Sequence, residues 1–237
     1  VVLLSILGHI PSLPVVVPEE DDQYAATPYR AHVKLPNLHL IGALADPIVE
    51  RIQNHNLIFP DRGVPDTPYS HFIFEAGNSK FCGVDKEDLP KGLRFGPLSS
   101  LADFLLVTQR TSMPRQVKTL MALKSEGVFQ FSEENQVSSI PDRLIAWAFI
   151  GLDGALTSLH VEEEWRGKGL AKKIAARVVK ESMEGEGYGH AYVANDNIPS
   201  QAVCHSIGGN CIIQRYWILL DLAKVKQAIS QRSSQNK

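Results

Sequence analysis

The segment Arg166-Gly167-Lys168-Gly169-Leu170-Ala171 has the composition of an anion cradle. Two glycines let a backbone approach a ligand closely. A helix starting just after them, over GLAKKIAARVVKESMEGEG, leaves the N–H groups of its first turn without intrahelical partners, and such a helix start can hold an anion. Arg166, Lys168, Lys172 and Lys173 surround that end. Cations oppose the dipole at a helix N-terminus, so four of them point to a strongly anionic occupant. His160, Asp196 and Cys204 are titratable side chains in the same half of the chain. His is the usual base near neutral pH. A thiol has an ordinary pKa of about 8.5 and can donate a proton. Cys204 and His205 do not make a nucleophile–base pair, because neighbours on a helix point about 100° apart. Glu162, Glu163 and Glu164 read as a solvated acidic turn, and Trp147, Trp165 and Trp217 as core or rim aromatics.

These groups need a frame. ALTSLHV is a strand running into the glycine turn, and it follows LIAWAFIG through GLDG, a good hairpin turn. The helix after the turn carries Leu170, Ile174 and Val178 four residues apart, backed by Ala171 and Ala175, with Lys172, Lys173, Lys180 and Glu184 on the wet side. HAYVA is the next strand, IPSQAVCHSIGG a short helix and NCIIQRYWILLDL the closing strand. Upstream, GLRFGPL and GVFQFSE read as strands around two helices. The first is SSLADFLLVTQR, with its Ser–Ser start and early acid. The second is SMPRQVKTLMALKSE, opened by Ser112 with Pro114 in its first turn. This order argues for an α/β chain with a mixed sheet.

Residues 1–90 are less orderly. YRAHVKL reads as a strand, LADPIVERIQNHN as a helix, FPDRGVPDTPYS as loop, and HFIFEAG with KFCGVD as a hairpin. The chain opens on Val1 rather than Met, which points to a fragment or processed product. Its apolar start, VVLLSILGHIPSLPVVV, is broken by Pro11 and Pro14 and is shorter than the roughly 20 apolar residues of a spanning helix. It reads as a piece of core. The domain reading is thus an N-terminal region over 1–90, a main domain over 91–222, and a helix end with a polar tail over 223–237.

The whole chain has 237 residues, of which 44% are hydrophobic, and a net charge of −2. That is ordinary for a globular protein. It argues against a dedicated nucleic-acid or anionic-membrane binder, which relies on a large positive field. Cys82, Cys204 and Cys211 form no C-x-x-C pair. A disulfide framework and a structural zinc site are not expected, and a reducing, cytoplasmic setting is. Neither a metal nor a nucleic-acid or membrane partner is expected.

Three anion-binding motifs compete at the glycine turn. The P-loop string G-x-x-x-x-G-K-[ST] is absent. The dinucleotide fingerprint G-x-G-x-x-G fails because Lys172 takes its third glycine, and too few residues follow for a doubly wound sheet. The (Arg/Gln)-x-x-Gly-x-(Gly/Ala) turn for the pyrophosphate of coenzyme A is matched in full by Arg166, Gly169 and Ala171. On that turn the chain resembles the GNAT acetyltransferase superfamily over about residues 92–222. A second motif agrees. Asn197-Ile-Pro-Ser-Gln-Ala-Val-Cys-His-Ser-Ile-Gly208 is similar to the family's N-x-x-(A/S)-x-x-L-Y-x-x-x-G. The shape is closest to the glycine N-acyltransferase-like branch, in which a degenerate first half precedes such a domain, here residues 1–90.

The resemblance implies a mixed α/β fold in which the fourth and fifth strands splay around an acyl-pantetheine arm. It implies that the backbone of Leu159, His160 and Val161 pairs with that arm and with the thioester oxygen, forming an oxyanion hole. Arg166, Gly167, Lys168, Gly169, Leu170 and Ala171 would hold the pyrophosphate, with Lys172 or Lys173 near the ribose phosphate. Asn197 would contact the arm or order the turn into the short helix. The family's frequent tyrosine acid falls at Cys204, and its strand-borne glutamate base is replaced near Ala155. These substitutions leave Cys204 as candidate acid and His160 as candidate base. The implied activity is direct transfer of an acetyl or short acyl group from acyl-CoA, with acetyl-CoA as the donor, to the amine of a small molecule or amino acid. The alternatives are a non-catalytic CoA-binding or interaction module and a dinucleotide-binding fragment.

Overall fold

A computed structural model describes residues 38–58, 68–78, 89–111, 115–131 and 142–235. The expected YRAHVKL strand, the apolar opening and KFCGVD lie outside these residues, as does most of the proline-rich loop. The chain divides into two compact units, one over 69–213 and the other over 1–68 with 214–237.

Among its described residues, the unit over 69–213 wholly contains six strands of a mixed sheet. In chain order they are β2 (Tyr69–Glu75), β3 (Leu93–Gly96), β4 (Ser125–Gln130), β5 (Arg143–Ile150), β6 (Ala155–Val161) and β7 (Tyr188–Ala194). In space they run β2-β7-β6-β5-β4-β3. All neighbours are antiparallel except β6 and β7, which are parallel, as strands joined through an intervening helix usually are. Parallel strands need a long crossover. Helix α4 (Leu170–Glu186) supplies it, ending at Gly187 in the left-handed conformation. Its apolar face, Leu170, Ile174, Ala175, Val178, Val179 and Met183, is buried against the sheet with Phe72, Phe74, Ile145 and Ala191. Helix α5 (Ile198–Ser206) adds Cys204 to the same core.

A second core holds Phe104, Val107, Leu120, Phe129, Leu144, Trp147 and Phe149. Its helices are α2 (Leu101–Arg110) and α3 (Val117–Met121). Ser100 caps α2: its hydroxyl accepts from Asp103 N–H at 3.1 Å, and the Asp103 carboxylate accepts from Ser100 N–H at 3.1 Å. That reciprocal pair satisfies two orphan donors and fixes the helix start. Helix α3 corrects the sequence reading. It is one short turn beginning after Gln116, whose extended backbone forms the N-cap. Arg115 and Gln116 therefore precede the helix instead of lying within it, and Ser112 and Pro114 fall outside the described residues.

The other unit pairs β1 (Leu38–Ala45) antiparallel with β8 (Asn210–Asp221), from Leu38 opposite Asp221 to Ala45 opposite Arg215. Val49 and Ile52 of α1 (Asp46–Asn54), with Leu57, Ile218, Leu220 and Val225, form its core. A side chain at Gly42 would collide with the Trp217 indole, which explains the glycine there. Helix α6 (Leu222–Gln235) runs through most of the stretch read from the sequence as a helix end with a polar tail. Its buried Leu222 and Val225 anchor the start, and Ser230 and Ser234 bond back to carbonyls four residues earlier. Among the described residues no helix is long and apolar enough to cross a membrane.

Candidate active site

Strands β6 and β7 pair only at Ala155–His190 and Leu156–Ala191. Beyond that they part, and a gap of about 280 Å³ opens between them. Its walls include Leu156–His160 of β6 and Ala191–Ala194 of β7, closed by Trp147, Arg110, Arg115, Asn197 and Cys204. On its other edge β6 is bulged against β5. Trp147 faces His160 and Phe149 faces Thr157, so Ser158 and Leu159 stand together opposite Ala148. Ser158 takes a left-handed φ of 53°. A bulge leaves an extra residue outside the ladder, so its backbone can be aimed elsewhere. Here Ser158 and Leu159 both line the gap.

Past Val161 a 3₁₀ turn (Glu163–Trp165) leads into the glycine segment. Arg166 donates from Nε to the Val161 carbonyl at 3.1 Å and folds the turn back on the strand end. Gly167 and Gly169 have φ of 75° and 76°, which glycine adopts without steric cost. A Cβ on either would meet nothing within 4 Å, so the space above them is open. Gly169 caps α4 with no side-chain hydrogen bond and no acid in the first turn. Leu170 is buried, whereas Lys172 and Lys173 are half-buried. Lys168 lies with Nζ 4.2 Å from the centre of the Trp165 ring. Open cradle, unsatisfied helix start and clustered cations fit a pyrophosphate.

The proton-bearing groups sit in different surroundings. The His160 ring stacks on Trp147 at 4.5 Å, with Nε2 3.7 Å from Glu162 Oε1. Burial holds His160 below the ordinary histidine pKa; Glu162 opposes this, while Arg166 and Arg110 reinforce it. The imidazole is therefore neutral at pH 7, the form that accepts a proton. Glu162 departs from the solvated reading. It is 8% exposed and accepts from Arg110 Nε at 3.0 Å. Cys204 is 2% exposed, and desolvation pushes its thiol up to about 12. Asn197 accepts from Ser200 N–H at 3.2 Å and so orders the start of α5 while lining the gap. His205 is exposed and packs edge-on against Phe72, away from Cys204. Asp196 is exposed and does not line the gap.

Sequence reading missed Trp147 as the ring under His160, and Arg110, Arg115 and Tyr192 as lining groups. It also missed an open groove of about 610 Å³ that shares Tyr192 with the gap. The groove holds His71 and Glu75 of β2, Tyr188 and His190 of β7, and Asp153 of the GLDG turn. Their alternation along β2 and β7 is the available signal. It becomes readable only once the two strands are known to pair, with His71 opposite Tyr192 and Glu75 opposite Tyr188. No group of His, Cys, Asp or Glu among the described residues is arranged to hold a metal ion.

A family model described as FR47-like protein matches residues 137–218, from just before β5 into β8. No curated protein matches the sequence. Among solved structures, a Drosophila protein is similar at a TM-score of 0.61 and 20% identity, covering 77% of this chain and 60% of that one. A GCN5-related N-acetyltransferase from Sphaerobacter thermophilus is similar at 0.51 and 10% identity, covering 82% and 64%. A tandem GNAT protein from the clavulanic acid biosynthesis pathway is similar at 0.50 and 10% identity, covering 78% and 63%. The chain thus spans less than two thirds of the length of each of these three. The fold is that of the GNAT acetyltransferase superfamily.

Proposed function

We propose that this protein is an acyl-CoA-dependent N-acyltransferase of the glycine N-acyltransferase-like branch. In this reading it moves an acetyl or short acyl group directly to the amine of a small molecule or amino acid. The observation that carries the reading is the continuity of one strand. β6 parts from β7, bulges at Ser158–Leu159 and runs straight into an open glycine cradle at a helix start.

In this reading the Gly167–Ala171 backbone, with Arg166 and Lys168, binds the pyrophosphate of acyl-CoA, Lys172 or Lys173 stands near its ribose phosphate, and Asn197 shapes the wall beside its pantetheine arm. The thioester that acyl-CoA brings is the reactive group; the chain orients it and moves protons. The backbone from Leu159 to Val161 presents N–H groups to the thioester oxygen, a fixed donor set that needs no reorganisation as charge develops. His160 takes the proton that the acceptor amine loses as its nitrogen bonds the acyl carbon. Cys204 gives the proton that the sulfur gains as the C–S bond breaks. A thiol near 12 keeps its proton at working pH. Its donation is feasible because the departing sulfur leaves its charge in the same poorly solvated gap, which raises that group's pKa as well.

Calorimetry with CoA and with NAD, followed by acetyl-CoA-dependent thiol release over a panel of amines, tests the reading. CoA binding with amine-dependent release is the expected result. CoA binding without release on any amine leaves the non-catalytic CoA module. Preference for NAD overturns the assignment.

A further inference from the structure

Arg115 lines the gap, and no acid among the described residues pairs with it. Four other arginines of this unit are each ion-paired: Arg94 with Asp142, Arg110 with Glu162, Arg143 with Glu164 and Arg177 with Glu126. Arg115 instead donates from Nη2 to the Thr157 hydroxyl at 3.0 Å, and its Nε is buried without a hydrogen-bond partner. Guanidinium stays charged at any working pH, and its planar fork matches a carboxylate through two parallel hydrogen bonds. A buried N–H left unmade is costly, so the site favours a ligand that supplies the acceptor.

The position tells which ligand. Thr157 precedes the bulge on β6, while the glycine cradle follows Val161 at the other end of the same strand. The phosphates of CoA thus belong to the far end of the gap, and Arg115 faces the end where acyl group and acceptor meet. We propose that Arg115 binds a substrate carboxylate there. This rests on the acyl-transfer reading. Two sources share that chemistry: the α-carboxylate of an amino-acid acceptor and the distal carboxylate of a dicarboxylic acyl group. In an α-amino acid the amine is two bonds from the carboxylate carbon. A carboxylate on Arg115 therefore keeps the nucleophile inside the gap that His160 also lines.

The test pairs each amino acid with its decarboxylated amine (glycine with methylamine, phenylalanine with phenethylamine), using acetyl-CoA as donor. A second arm compares succinyl-CoA with acetyl-CoA on one common amine. CoA binding by calorimetry serves as the folding control, and each carboxylate ligand is also titrated into the protein–CoA complex. We expect the wild type to favour the carboxylate partner in one arm, which names the source. In that arm Arg115→Met should cut the carboxylate preference about 10–100-fold, read as a raised KM and a weakened calorimetric Kd. Arg115→Lys keeps the charge without the fork and should fall between. Equal use of both partners in both arms by the wild type overturns the proposal. So does an Arg115→Met protein that binds CoA and retains the full preference. If the wild type binds no CoA, the acyl-transfer reading falls and this one with it.

Discussion

In the acyl-transfer reading, the glycine turn beyond β6 and the β6–β7 gap are built in opposite ways. The turn that this reading gives to the phosphates is backbone from one continuous hexapeptide, Arg166–Ala171, with left-handed glycines and an uncapped helix start. The gap that it gives to the acyl group is lined by side chains from five separate segments: Arg110 and Arg115, Trp147, His160, Tyr192, and Cys204. A backbone cradle depends on local conformation, so its residue types are narrowly restricted. A side-chain pocket depends on which elements meet, and many residue types satisfy the packing. The turn is therefore rigidly specified and the gap adaptable.

The largest expected effect tests the backbone end. Gly169→Asp should abolish detectable CoA binding by calorimetry while the protein stays folded. Asp is among the few residues that tolerate the left-handed conformation, so the fold survives. Its carboxylate would stand in the space now open above the cradle and repel a pyrophosphate. Wild-type CoA affinity in a folded Gly169→Asp protein would remove the phosphate assignment.

At the side-chain end, Cys204→Ala should lower kcat by about 10²–10⁴-fold, the usual range for loss of one acid–base group. Cys204 also belongs to the main core, with Phe74, Ile174 and Ile207, so the variant's melting temperature must be followed in parallel. Full kcat with reduced stability would leave the thiol as packing. Cys204→Tyr separates the roles further. The acid reading expects activity if the ring fits, and the packing reading expects overpacking and loss of stability.

A third effect is a displacement along the pH axis. His160 is held below the ordinary histidine pKa, mainly by burial. A base must be neutral to work, so kcat/KM expressed per neutral acceptor amine should fall on acidification with a midpoint below 6.5 and stay level from neutral to mildly alkaline pH. Cys204, near 12, contributes no alkaline limb in that range. Replacing Trp147 by Leu removes the stacked ring and exposes the imidazole, and the midpoint should move up towards 6.5. A wild-type profile centred at or above 6.5 would detach His160 from the proton transfer.

The same contrast decides what could be read from the sequence. The glycine turn, the α4 stripe and the GLDG hairpin are each encoded within a few residues, and all appear where the spacing puts them. The parallel pairing of β6 with β7 was also legible, because a strand–helix–strand order leaves little alternative. Glu162 was misread because its burial depends on Arg110, 52 residues away. Helix α3 was overextended because apolar spacing in SMPRQVKTLMALKSE does not reveal the extended backbone at Gln116. Arg115 gave no signal at all, since an unpaired guanidinium is visible only when its neighbours are known. The C-terminal tail is polar in composition, yet α6 is held by Leu222 and Val225 at its first turn and propagates from there.

The smallest expected effect belongs to Lys168, where backbone and side-chain logic meet. The residue occupies a variable position of the phosphate motif, so the cradle does not require a lysine there. Its ammonium rests 4.2 Å from the centre of the Trp165 ring, which favours one placement of a long side chain beside the glycines. An exposed cation–π contact is worth about 0.5–1 kcal/mol, so the ring biases the position of Nζ without immobilising it. Lys168→Ala should therefore weaken CoA binding only a few-fold, the scale of one screened charge near a phosphate. The deficit should shrink as salt rises, because the attraction is exposed to solvent and the Debye length falls from about 10 Å at 0.1 M to about 3 Å at 1 M. Trp165→Leu should cause part of the same loss at low salt by releasing the ammonium. A Lys168→Ala protein whose CoA affinity falls as far as that of Gly169→Asp, with no salt dependence, would mean that the side chain builds the cradle. The division between a backbone end and a side-chain end would then fail at its clearest point.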